Sequence, residues 1–85
     1  MAIRLRLFAS IREHTGVEEE SLELPQGVQT LGALRERLRE RGPGWAECLD
    51  KSKAVRGAVN QRMANDDEPV HDGDEIAFFP PVTGG

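Results

Sequence analysis

Eighty-five residues with 15 Asp+Glu against 11 Lys+Arg make a mildly acidic chain sized for one domain. A domain this short buries only about 60–65% of its unfolded surface, which leaves one modest core and little room for a deep enclosed active site. The acid excess and the scattering of the basic residues argue against nucleic acid as the main partner. One cysteine, Cys48, excludes an internal disulfide framework, and the charges at Arg4 and Arg6 exclude a signal-peptide apolar region at the N-terminus. No apolar run approaches a membrane span, so the expected setting is the cytoplasm.

Ile3, Leu5 and Leu7 alternate with Arg4 and Arg6, a period of two that predicts a strand with one buried face. Phe8 and Ala9 lead into a break. Residues 10–14 predict a single helical turn closed by Gly16. Leu22 and Leu24 alternate with Ser21 and Glu23, which predicts a second strand, antiparallel to the first and ended by Pro25 and Gly27. Thr30 suits an N-cap, and Leu31, Leu34 and Leu38 recur at helical spacing. Arg35, Glu36, Arg37, Arg39, Glu40 and Arg41 are expected to face water. Gly42 stands where a left-handed C-cap is wanted, and Pro43 forbids continuation.

Residues 42–53 read as a loop or short helix anchored by Trp45 and Leu49. Residues 55–61 predict a third strand, weakened by Gly57. A turn follows around Asn65-Asp66-Asp67, and Pro69 argues for irregular or edge structure. Asp72-Gly73-Asp74 predicts a tight turn, and residues 75–79 a final strand stopped by Pro80-Pro81. A hairpin, a helix and further strands define an α+β fold with the helix on one sheet face. Laying the last strand parallel to the first covers two apolar strands at once.

The body offers little chemistry. His14 and His71 each lie in a predicted turn beside acids and read as surface histidines. No Cys/His spacing suits zinc, and Asp72-Gly73-Asp74 lacks the ligand ladder of a calcium loop. Cys48 has no fixed cationic neighbour and reads as a small, partly buried hydrophobe. The runs Glu18-Glu19-Glu20 and Asp66-Asp67-Glu68 read as solvated turns. No glycine spacing cradles phosphate, so neither a nucleotide nor another cofactor is expected on this chain itself.

The exception is the end, Pro80-Pro81-Val82-Thr83-Gly84-Gly85. A strand holds its base, two prolines stiffen it, and the last two residues have no side chain. Extended, residues 80–85 reach about 20 Å. Such an arm suits the presentation of a carboxylate inside another protein's active site, because glycine lets backbone approach catalytic groups closely. The domain is therefore read as residues 1–79, with 80–85 as the tail. Ile76 and Phe78 share a phase and should face the core, leaving Phe79 outward. Phe79 and Val82 are the expected partner-binding anchors.

The ending Phe78-Phe79-Pro80-Pro81-Val82-x-Gly84-Gly85 resembles that of the molybdopterin synthase small subunits. So do Leu7-Phe8-Ala9, Ile11-Arg12-Glu13, Val59-Asn60-Gln61 and residues 72–79. A bare Gly-Gly is also shared with the carriers of thiazole synthesis and tRNA thiolation and with ubiquitin. The resemblance implies a β-grasp (ubiquitin-like) topology, a mixed sheet of four to five strands with one main helix on one face. It further implies a sulfur carrier that is a non-catalytic, sulfur-donating subunit of a transferase complex. An ATP-dependent, E1-like activating enzyme would adenylate the carboxylate of Gly85, and a sulfur donor protein would convert it to a thiocarboxylate. The tail would then enter the synthase large subunit and give sulfur to precursor Z. ATP is used by the activating partner, and Gly84 keeps the tip slim. The alternatives are a carrier for tRNA thiolation or thiazole synthesis, a protein modifier joined to lysines through Gly85, and a plain interaction module.

Overall fold

The alternation at the N-terminus forms strand β1 (Ala2–Leu7), in which Ile3, Leu5 and Leu7 are buried and Arg4 is exposed. The computed structural model describes residues 2–50 and 52–80. Helix α1 (Ala9–Thr15) is two turns long where a single turn is predicted, and Gly16 closes it in the left-handed conformation, φ 74°. Strand β2 (Glu19–Glu23) runs antiparallel to β1, with Ile3 opposite Leu22.

Helix α2 (Leu31–Arg39) starts at Thr30, whose side chain accepts a hydrogen bond from the Ala33 amide at 3.2 Å. Its buried stripe is Leu31, Leu34, Arg35 and Leu38. Arg35 thus departs from the solvent face predicted for it and is only 7% exposed. Its Nε donates to the Leu49 carbonyl at 2.7 Å and its Nη2 to the Asp50 carbonyl at 2.6 Å. These carbonyls lie in the turn just after helix α3 (Pro43–Cys48), so a buried guanidinium satisfies its main-chain acceptors. The predicted left-handed cap at Gly42 is also corrected. Helix α2 closes at Glu40 in a right-handed conformation, and Gly42 is extended as the N-cap of α3, with Pro43 in the first turn. Leu49 is fully buried and Trp45 packs on the core, as anchors of this segment should.

Strands β3 (Arg56–Val59), β4 (Arg62–Ala64) and β5 (Glu75–Phe79) complete a five-stranded sheet in the order β2-β1-β5-β3-β4. Strand β5 is parallel to β1 and antiparallel to β3, which puts the last strand at the centre of a mixed sheet. The helices cover one face, where Ile3, Leu5, Leu7, Ile11, Leu31, Leu34, Leu38, Leu49, Ile76 and Phe78 form a continuous core. Gly57 has a packing role beyond weakening its strand, because a β-carbon there would stand 2.6 Å from Leu31 Cδ2. No helix among the described residues is long and apolar enough to cross a membrane.

Candidate functional site

Strand β5 carries the chain towards its end, and its two termini are fixed differently. At the start, Asn60 acts as a bracket. Its Nδ2 donates to Asp74 Oδ1 and its Oδ1 accepts from the Glu75 amide, both at 3.0 Å. Asn60 and Gln61 have φ of 52° and 67°, the left-handed pair that a two-residue hairpin between β3 and β4 requires. Asn tolerates this conformation well, which frees its amide to hold β5 in register. The predicted turn at Asp72-Gly73-Asp74 is formed, with Gly73 at φ 91°.

At the far end, Phe78 points into the core at 1% exposure, and Phe79 lies half-buried on the opposite, helix-free face. This is the predicted phase. The ring of Phe79 meets that of Phe8 edge-on, with centroids 6.4 Å apart and planes at 82°. The Arg6 guanidinium stands 5.3 Å from the centroid of Phe8. Sequence reasoning passed over Phe8, although it continues the outward phase of Arg4 and Arg6. Its backbone is tied on both sides, since its N–H donates to the Phe78 carbonyl at 3.3 Å and its carbonyl accepts from the Ile11 amide at 3.1 Å.

The register extends this surface across the sheet. Arg6 lies beside Ala77, Ala77 opposite Ala58, and Ala58 opposite Met63. Arg56 stands opposite Phe79. Phe8 and Met63, at 38% and 60% exposure, are the large hydrophobic side chains that the described residues leave most open. The helix-free face therefore holds an apolar band framed by arginines, with Pro80 just beyond Phe79 and outside the strand. Of the predicted site residues, Pro81, Val82, Thr83, Gly84 and Gly85 lie outside the described residues.

The remaining candidates are placed as side chains of the body. Cys48 is buried, and desolvation pushes its thiol up, away from the reactive thiolate. His14 is exposed, its Nδ1 2.8 Å from the Ser10 carbonyl, and His71 is exposed beside Asp74. Among the described residues no group of three or more His, Cys, Asp or Glu gathers as a metal site would require. The run Glu18-Glu19-Glu20 is not a solvated turn. Glu19 and Glu20 belong to β2, and Glu20 takes a two-pronged contact from Arg41 at 2.7 and 2.9 Å. Hydrogen bonding from Arg41 holds the Glu20 carboxyl below the usual carboxylate range.

A helix-covered mixed sheet, with its last strand central and parallel to its first, places this chain among the ubiquitin-like β-grasp proteins. The chain belongs to the ThiS family, whose model matches residues 5–85. It is 41% identical over 83 residues to the molybdopterin synthase sulfur carrier subunit of Escherichia coli (strain K12), covering 98% of this chain and 99% of that protein. It is similar to a chain of the protein–protein complex of subunits 1 and 2 of the molybdopterin-converting factor from Helicobacter pylori 26695, at 29% identity, full coverage of both chains and a TM-score of 0.66. The crystal structure of SAMP1 from Haloferax volcanii matches at 26% identity, full coverage of both and a TM-score of 0.76.

Proposed function

We propose that this chain is the sulfur carrier subunit of a molybdopterin synthase, working in the cytoplasm. The observation that supports this most directly is the placement of β5. The strand that leads to the Gly84-Gly85 terminus is held between two neighbours, with Asn60 fixing its start, so the sheet secures the base from which the chain's end departs. The match to sulfur carrier subunits over nearly the whole chain supports a sulfur-carrying role for that end.

The chemistry follows from the carboxylate of Gly85. A carboxylate is a poor electrophile, so an E1-like enzyme uses ATP to convert it to an acyl adenylate, from which AMP is a good leaving group. A sulfur donor displaces AMP and leaves a thiocarboxylate, a soft nucleophile that is ionised at neutral pH. The slim Gly-Gly tip then enters the large subunit and delivers sulfur to precursor Z. The pterin and ATP sites belong to the partners in this scheme. The band of Phe8, Phe79, Ala77 and Met63, framed by Arg6 and Arg56, is the docking face, with Val82 adding a contact on the tail. Apolar area at its centre supplies affinity, and the arginines supply orientation.

The test is intact mass spectrometry after incubation with the activating enzyme, ATP and a sulfur donor. The proposal predicts a product heavier by the exchange of one oxygen for sulfur, located on Gly85. An unchanged mass alongside a thiolated control carrier would contradict it.

A further inference from the structure

The helix-free face carries a charge pattern as well as an apolar band. Ile3, Leu5, Leu7, Ile76 and Phe78 are buried, so the strand phase turns Arg4, Arg6 and Phe8 outward beside Glu75, Ala77 and Phe79. Arg4 Nε meets Glu19 Oε2 at 3.1 Å, which places Glu19 on the same face, with Ser21 and Glu23 in phase along β2. Arg56 joins from β3, opposite Phe79. The register sets the heights along the strands. Arg4 stands level with Glu75, and Arg6 with Ala77 and Glu19. Phe8, still extended at φ −128° and ψ 154°, comes level with Phe79.

In a chain with an acid excess this face is balanced, Arg4, Arg6 and Arg56 against Glu19, Glu23 and Glu75. The signs also alternate across the sheet: acidic on β2, basic on β1, acidic at Glu75 on β5, basic at Arg56 on β3. A two-fold axis parallel to the strands, between β1 and β5, makes the face meet itself with signs opposed. Strand β1 then lies over the second copy's β5, and β2 over its β3. Arg4 faces Glu75, Phe8 covers Phe79, and Glu19 comes one strand step from Arg56. An isologous contact makes each of these pairs twice. The strands of the two sheets run in the aligned mode by which sheets stack. An axis across the strands would instead set β1 on β1 and β2 on β2, arginine on arginine and glutamate on glutamate, which like-charge repulsion opposes.

We propose that the free chain pairs with a second copy of itself through this face, as a two-fold dimer with reciprocal Arg4–Glu75 contacts beside a cluster of Phe8 and Phe79 rings. The Arg4 and Glu75 side chains are 64% and 25% exposed, which leaves both open to a facing surface. The Phe8 and Phe79 rings already meet edge-on within one chain, and a second pair laid on them removes apolar area from water. The pairing involves the body alone and is independent of the tail's chemistry. The same band is the docking face proposed above for a large subunit, so the second copy must leave before that partner docks.

Sedimentation equilibrium of the full chain over a concentration series tests this. The expected result is a reversible monomer–dimer equilibrium. Arg4→Glu alone and Glu75→Arg alone each set like charges opposite one another at both contacts, and each should weaken dimerisation by at least about tenfold. An equimolar mixture of the two variants sets opposite charges at both contacts and should recover the parent affinity as a heterodimer. Ion pairs within one chain, such as Arg4 with Glu19, cannot produce that recovery. Thermal melts of dilute samples verify that each variant folds. For a variant that does not, isotope-filtered NOEs between Phe8 of one parent copy and Phe79 of the other decide instead, present if the proposal holds and absent if it fails. A monomer at every concentration would leave the face to a partner of different sequence and overturn the proposal. So would a dimer indifferent to both substitutions, or a mixture that stays monomeric.

Discussion

The two faces of strand β5 do different work. Ile76 and Phe78 on the inner face are fully buried among Leu5, Leu7 and the helices, whereas Ala77 and Phe79 on the outer face meet Phe8 and a band that no helix covers. A period of two thus lets five residues serve both folding and, in the proposed function, recognition. Substitutions on the inner side should register as lost stability, and substitutions on the outer side as lost partner affinity. A small domain has only about 5–15 kcal/mol of stability, so the separation is easy to detect.

The largest stability effect is expected where the helices meet the inner face. Leu34 is fully buried on α2, and Leu34→Ala should cost about 2–5 kcal/mol through lost transfer energy and an unfilled cavity. Urea melts check this, and a cost under about 1 kcal/mol would contradict the assigned face.

Phe79→Ala sharpens the contrast from the other side. It removes an aromatic ring that contacts Phe8, and affinity for the large subunit should fall more than about tenfold, or 1.4 kcal/mol. The melting temperature of the isolated domain should shift little. Calorimetric titration beside a thermal melt decides the matter. Unchanged affinity with a collapsed melting temperature would move Phe79 into the core.

The smallest effect concerns the Glu20–Arg41 pair, remote from β5. Glu20 has a depressed folded-state pKa, so its contribution is present above the unfolded value of about 4.3 and is lost as pH falls through the folded value. The pair is about one-third exposed, which limits its worth to under about 1 kcal/mol. Glu20→Gln should flatten the acid limb of the stability profile slightly and leave partner affinity unchanged.

Much of this arrangement was legible in the sequence because it depends on local period. The alternation in β1, the phase of Ile76, Phe78 and Phe79, the Thr30 cap and the Asp72-Gly73-Asp74 turn all follow from residue type and spacing. The errors arose where a neighbour distant in sequence decides. Arg35 falls on the same helical face as Leu31 and Leu38, at i+4 and i−3, but charge alone argued for solvent. Its burial is set by the carbonyls of Leu49 and Asp50, which reach it only through the tertiary fold. Glycine at position 57 read as a weak point because its partner, Leu31, lies on another element. Phe8 shares the outward phase of Arg4 and Arg6, but its contact with Phe79 exists only because β5 lies beside β1, a pairing between distant segments. The Gly84-Gly85 tip was evident from the chain's last residues, but its chemistry came from resemblance and from the family match, not from any arrangement of side chains.

The central claim is that Gly85 carries the transferred sulfur, and deleting it tests that most directly. Sulfur transfer to precursor Z is measured in the complex reconstituted with the large subunit, the activating enzyme, ATP and a sulfur donor, beside a thermal melt of the same variant. The account predicts no transfer and an unchanged melting temperature, because Gly85 lies beyond β5 in the chain and the core residues are untouched. Transfer at the parent rate from the truncated chain would contradict it.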